Sequence, residues 1–303
     1  MAKQQPASEQ SEQPAAHAHA RPGNVETARS IHRHRWPVRL MHWINLLCMT
    51  ILLMSGLQIF NAHPALYWGH DSNFDHPWLS IGAERGGDGT LHGVTRIGSA
   101  SIPTTGVLGV SGGSDGRAPS QRAFPTWATI PGPQWLSMGR QWHFFFAWLL
   151  VINGVFYVLY SLMARHLDKD LLPHRRQLRT LGHTFWQHLR LRFPKGEEAR
   201  EYNVLQKLTY LAVIFLLGPL IVLTGLTMSP WVDSALPQLL WLFGGRQSAR
   251  AIHFLCAFSF LAFVLVHVAM VVLSGTWNNL RSMITGRYVL ETPPAADEER
   301  DDD

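Results

Sequence analysis

The chain has 303 residues, 47% of them hydrophobic and only 16% charged, against roughly 25% charged in ordinary soluble domains. Its mean hydropathy of +0.00 averages long polar stretches with four apolar runs, each of about 20 residues, the length that a bilayer core of about 30 Å asks of a helix. This argues against a water-soluble enzyme, a fibrous protein and a fully disordered chain, while the two cysteines, Cys48 and Cys256, exclude a disulfide scaffold, a Cys-ligated zinc site and an iron–sulfur cluster. No C-x-x-C-H occurs, so there is no covalent c-type haem site.

Residues 1–28 are rich in Gln, Ala, Ser, Glu and His and lack the basic and apolar regions of a cleaved signal. They are expected to be a disordered tail on a mature chain. The first apolar run covers about 40–60, and residues 61–138 form a long connection with too many Gly and Pro for helices to dominate. A second run covers about 139–163. The charged stretch 165–202 follows, then a third run at about 205–228, a short connection, and a fourth run at about 249–274. The acidic tail 291–303 ends the chain. The expected fold is an all-α membrane protein, a four-helix bundle domain over 29–290 with a periplasmic insert between helices 1 and 2.

Orientation follows from Lys and Arg near the span ends. Residues 1–39 carry six and residues 165–202 carry nine, whereas 61–138 carries four in a much longer stretch and 229–249 only Arg246. Both termini are therefore expected in the cytoplasm and the insert in the periplasm of a bacterial inner membrane. The net charge of +5 reads as a topology signal and not as nucleic-acid binding, because the basic residues flank spans instead of forming one stripe.

Of the 16 histidines, His42, His143, His253 and His267 lie inside the apolar runs, where ionisable groups are costly and usually functional. His253 and His267 are 14 residues apart, which is close to four turns, so both leave one helix face about 21 Å apart along the axis. Depth pairs His143 with His253 on the periplasmic side and His42 with His267 on the cytoplasmic side. Two bis-histidine sites stacked across a bilayer are what two b haems require, since neutral imidazole is a good iron ligand. Zinc would want further ligands, and no Asp, Glu or Cys stands at either depth.

Arg39, Arg140 and Arg250 each precede a candidate ligand by three residues, on the same helix face, and are expected to pair with haem propionates. Gly56 and Gly154 share faces with His42 and His143 and could admit a macrocycle or a neighbouring helix. Gly218-Pro219 predicts a kink in the third span. In the insert, His63, His70, His76 and His92 with Asp71 and Asp75 could make a metal site, but exposed loop residues are the simpler reading.

The R-x-x-H-W of 39–43, the W-H-F-F-F-A-W run of 142–148 and the H-x13-H of the fourth span resemble the bacterial di-haem cytochrome b561 superfamily, over about 33–60 and 139–285. That group includes the cytochrome b subunits of formate dehydrogenase, nickel–iron hydrogenase and thiosulfate reductase. The resemblance implies electron transfer between the quinone pool and an extracytoplasmic catalytic subunit, with spans one, two and four ligating two haems and span three none. It also implies a quinone contact at Asn203 and Gln206, in a motif resembling Y-N-x-x-Q-K at Tyr202 to Lys207. The glycine that some members carry in it is absent here, Val204 and Leu205 standing between Asn203 and Gln206. The insert is longer than the loop of the formate dehydrogenase subunit. By resemblance its partner is a periplasmic redox subunit such as a sulfite-oxidase-like molybdenum oxidoreductase. The leading reading is thus an electron-transfer subunit and not a stand-alone enzyme. The alternatives are a self-sufficient superoxide-to-quinone oxidoreductase, disfavoured by outer connections poor in Lys and Arg, and a four-helix metal or solute transporter, disfavoured by the lack of an intramembrane acid.

Overall fold

The computed structural model describes residues 29–112, 118–164 and 204–290. Among them are four helices long and apolar enough to cross a membrane: α1 (Trp36–Phe60), α2 (Leu136–Met163), α3 (Val204–Thr227) and α4 (Arg246–Leu273). At 1.5 Å per residue their 24 to 28 residues reach about 36–42 Å, enough for a hydrocarbon core of about 30 Å. Large apolar side chains such as Leu47, Phe145, Trp148, Leu265 and Val266 are exposed along them, as expected of helices whose surroundings are lipid. The short helices Pro230–Ala235 and Gln238–Leu242 fill the connection between α3 and α4.

The helices pack as two hairpins, α1 on α2 and α3 on α4. Inside the first, Asn153 is buried and donates from Nδ2 to the Met41 carbonyl at 3.0 Å and to Asn45 Oδ1 at 2.7 Å. An amide in such a place must be satisfied by protein, since no water is there to do it. In α3 the predicted kink takes the form of a π-helical turn at Val213–Leu217, just before Gly218 and Pro219. Proline has no N–H to continue the ladder, and the wider turn accommodates the break.

The all-α expectation holds for the spans and fails for the stretch between α1 and α2. That stretch folds as β2 (Ala65–Leu66), β3 (Leu79–Arg85), β4 (Leu91–Ile97) and β5 (Ala100–Pro103) in one antiparallel sheet, with β6 (Gly109–Ser111) and β7 (Ser120–Arg122) as a second pair. The period-2 pattern is short but real: Leu79 and Ile81 are buried, while Ser80 is half-buried and Gly82 and Glu84 are exposed. The GGDG run is the β3–β4 hairpin turn, with Gly89 at φ +82°. Glycine is favoured there because a Cβ resists that conformation. Arg96 and Glu84 form an ion pair across the same two strands.

This β insert sits at one end of the bundle and is joined to it by buried polar bonds. Asn61, just past α1, donates from Nδ2 to the Phe124 carbonyl and accepts from the Phe124 N–H at 2.7 Å. Arg122 is buried and donates to Gln58 Oε1 at 2.6 Å and to the Gly132 carbonyl at 2.7 Å; burial pushes its pKa down from the usual guanidinium range. At the start of α4, the N–H groups of Gln247 and Ser248 donate to the Gly69 carbonyl, which caps two of the helix's orphan donors. Gly245, at φ +109°, makes that approach possible, since a Cβ there would lie 2.5 Å from the Gly69 oxygen. The apolar joint is Phe60, Leu66, Leu79, Ile81, Ala123 and Phe124, against which Phe254 and Phe258 of α4 pack.

At the opposite end, β1 (Arg29–His32) pairs antiparallel with β8 (Arg287–Leu290), bringing both ends of the described chain together. A further helix, α5 (Thr276–Thr285), leads into β8. Trp43 Nε1 donates to the Met283 carbonyl at 3.2 Å, which ties α1 to α5. The expected tails at 1–28 and 291–303 and the charged stretch 165–202 lie outside the described residues.

Candidate functional site

The four span histidines come together in the two pairs that depth predicts. His143 on α2 and His253 on α4 have ring centroids 6.2 Å apart, at the insert end. His42 on α1 and His267 on α4 have theirs 6.3 Å apart, at the β1–β8 end. An imidazole nitrogen binds a first-row metal at about 2.0–2.1 Å, so two imidazoles this near could together hold one metal centre. In each pair the rings belong to different hairpins, so a group held by both would be clasped between them.

Hydrogen bonds prepare the first pair for a metal. His253 Nδ1 donates to the Ile221 carbonyl at 3.0 Å and to Thr224 Oγ1 at 3.2 Å. A carbonyl can only accept, so Nδ1 carries the proton and Nε2 keeps the lone pair. His143 Nδ1 donates to Ser55 Oγ at 3.1 Å, whose own proton goes to the Ile51 carbonyl at 2.6 Å. A ligand histidine whose second nitrogen is bonded in this way has its tautomer and ring orientation set. At the second pair, Phe263 stacks on His267 with centroids 5.8 Å apart, and His42 Nδ1 is buried without a hydrogen-bond partner among the described residues.

The three arginines stand differently. Arg39 lines a cleft of about 410 Å³ with His32, Arg35, Trp36, Pro37, Tyr160 and Thr285, and its Nε is buried with no hydrogen-bond partner among the described residues. Arg140 is exposed, its guanidinium 5.6 Å from the Phe144 ring centre. Arg250 donates to the backbone carbonyls of His63 and Ala65 and so fastens the insert to α4. Such an anchoring role was not anticipated from its spacing to His253.

Gly56 lies against His143, where a Cβ would come within 3.3 Å of the ring, so it faces the partner pair and not its own helix's His42. Gly154 has no protein atom within 4 Å of its Cβ position. Sequence reasoning missed Ser55, Ile221, Thr224 and Gly225; the signal was there in the recurrence of LLMSGL at 52–57 and IVLTGL at 221–226. Of the expected quinone contacts, Gln206 lies in the first turn of α3 and is followed by the buried Lys207, while Tyr202 and Asn203 lie outside the described residues. No group of three or more metal-ligating side chains occurs among the described residues, so the insert histidines and aspartates form no such cluster there.

The residues fit haem. Each pair would supply two imidazoles to one iron, glycine clears the flank of a histidine ring, and Arg39 has a buried Nε–H with no partner among the described residues. Comparison with known proteins agrees. The family model described as prokaryotic cytochrome b561 matches residues 33–286. A relative in Azospira oryzae, which carries the provisional name protein-methionine-sulfoxide reductase subunit YedZ1, is 35% identical over 236 residues, covering 78% of this chain and 88% of its own. No solved structure matches the chain. With paired histidines, four spans and a family match over most of its length, the chain belongs to the prokaryotic cytochrome b561 family, membrane proteins that bind haem b and transfer electrons.

Proposed function

We propose that this chain holds two haems b, one between His143 and His253 and one between His42 and His267, and carries electrons between quinone and a catalytic redox subunit docked on the β insert. The observation that carries the reading is the pair of centroid separations, 6.2 Å and 6.3 Å, at opposite ends of α4. A haem held by two histidines cycles between ferric and ferrous and supplies one-electron transfer. The histidines would hold and orient it, and Arg39 and Arg140, each three residues before a candidate ligand, would pair with its propionates. Gln206, with Asn203, remains the proposed quinone contact, at the His42–His267 end, where α3 begins.

The insert presents exposed aromatic side chains, Trp68, Phe74 and Trp127, and is locked to α1 and α4 by buried bonds, which suits a rigid docking platform. The name of the Azospira relative makes a methionine-sulfoxide-reducing subunit the first partner to test. Quinol would then supply the two electrons, releasing its two protons at its own site, and the sulfoxide would take two protons from the water around the partner to give thioether and water. A molybdenum oxidoreductase of the sulfite-oxidase type is the partner implied by the family resemblance. The test is a reduced-minus-oxidised spectrum with pyridine haemochrome quantitation on the purified chain. Two low-spin b haems per chain are expected, with His143→Ala and His267→Ala each removing a different one. One haem per chain, or both lost together in each variant, would overturn the two-site reading.

A further inference from the structure

Two segments of this chain share one local design. On α1, Ser55 and Gly56 follow Leu52-Leu53-Met54; on α3, Thr224 and Gly225 follow Ile221-Val222-Leu223; a leucine comes next in both. In each, the hydroxyl accepts from the Nδ1–H of a histidine on another helix, Ser55 from His143 at 3.1 Å and Thr224 from His253 at 3.2 Å. Each hydroxyl also returns its proton to the carbonyl four residues back, Ser55 to Ile51 at 2.6 Å and Thr224 to Leu220 at 2.7 Å. Both therefore stay acceptors toward the ring. At the second of them the residue three before the hydroxyl adds its backbone, the Ile221 carbonyl taking a bond from His253 at 3.0 Å. The glycine then lets the ring lie close, since a Cβ would be 3.3 Å from His143 Cε1 at position 56 and 3.2 Å from His253 Cε1 at position 225.

The other pair has no such cradle. Neither ring nitrogen of His42 or His267 makes a hydrogen bond among the described residues, and their ring neighbours are Trp43 and Phe263. The two sites thus present iron with ligands of different basicity. An imidazole that donates its second N–H is the stronger base toward the metal. A stronger base favours the ferric state, and hydrogen bonding around the ligands is one of the means by which a protein sets haem potential.

We infer that Ser55–Gly56 and Thr224–Gly225 are twin positioning devices for His143 and His253, and that they hold the haem at the insert end at a lower potential than the same histidines would without them. The inference rests on the two-haem reading proposed above. It gives α3, which supplies no ligand, a defined part in the chemistry, and it makes the two sites unlike by construction.

The experiment is an equilibrium redox titration of the purified full-length chain, followed at the α band, for the wild type, Thr224→Val, Ser55→Ala and Thr224→Ser. One of two midpoint potentials is expected to rise in Thr224→Val and in Ser55→Ala. At fixed ambient potential the ferric-to-ferrous ratio of that haem falls about threefold, which at 59 mV per tenfold for a one-electron couple is about 28 mV. The other potential stays in place, and Thr224→Ser restores the first. If Thr224→Val loses haem, loss of one haem only, with Thr224→Ser intact, supports the positioning role, and loss of both haems overturns it. Unmoved potentials, or equal shifts in both, also overturn it. A wild-type chain with fewer than two haems overturns the two-haem reading itself before any variant is compared, so the two failures are told apart.

Discussion

Gly225 and Gly154 look alike in the sequence, each inside an apolar helix, yet the space around them differs. A Cβ at 225 would meet His253 Cε1 at 3.2 Å, and one at 154 would meet no protein atom within 4 Å. The nearest atom at 225 belongs to a ring pinned at Nδ1 by two acceptors, so it gives way only by leaving its rotamer. That costs about 0.5–1.5 kcal/mol, or about two- to tenfold in binding. Gly225→Ala is therefore expected to weaken retention of one haem by about that factor, read as faster haem transfer to an excess of apo-acceptor protein. Gly154→Ala is expected to transfer at the wild-type rate unless a macrocycle lies against it. Equal rates for Gly225→Ala and wild type would show that the close contact at His253 does not constrain the ligand. Arg250 teaches the same lesson at a charged residue. Its spacing to His253 suggests a propionate, and the fold shows a further use that spacing does not reveal, its two terminal nitrogens donating to the carbonyls of His63 and Ala65.

At the scale of elements, the join between insert and bundle is as much polar as apolar. Asn61 exchanges two hydrogen bonds with the backbone of Phe124 in a buried place. Asn61→Ala leaves a buried N–H and a buried C=O unpaired, at about 1–3 kcal/mol for each group. The variant is expected to keep its four spans but release the insert, seen as faster proteolysis within 61–135 and a lower melting temperature in detergent. A protease pattern like that of the wild type would mean that the apolar joint around Phe60 and Phe124 suffices alone. The spans and their histidines were readable in the sequence because length, apolarity and a 14-residue spacing are properties of one helix. The strands of 61–135 were not, because β3 and β4 are seven residues each, glycine interrupts their alternation, and their pairing depends on distant residues. The hydroxyl cradles were hidden for a related reason. Ser55 and Thr224 are ordinary helix residues until it is known which neighbouring helix brings a histidine against them.

At the scale of the whole molecule, charge and chemistry divide along the same axis. The end that carries β1, β8 and the His42–His267 pair is basic: residues 29–60 and 274–290 hold Arg29, Arg33, Arg35, Arg39, Arg281 and Arg287 and no Asp or Glu. The end that carries the insert and the His143–His253 pair has few Lys or Arg for its length. Chains tend to retain such basic ends in the cytoplasm, so the proposed orientation has the insert in the periplasm, where a partner there would meet the hydrogen-bonded histidine pair. The orientation can be measured directly, because the two native cysteines, Cys48 and Cys256, are buried and leave little background. Ser99 sits exposed in the β4–β5 turn, and Arg287 is exposed at the start of β8. In spheroplasts treated with a membrane-impermeant thiol reagent, Ser99→Cys is expected to label at once and Arg287→Cys only after permeabilisation. The reverse pattern would leave the bundle and both histidine pairs intact but turn the molecule over, moving the partner's docking platform to the cytoplasm. Labelling of both without permeabilisation would put the two ends on one side, and α1 could then not span the membrane, since it alone lies between the insert and β1, the strand that pairs with β8. The four-span reading stands or falls on that comparison, independently of whether haem is bound.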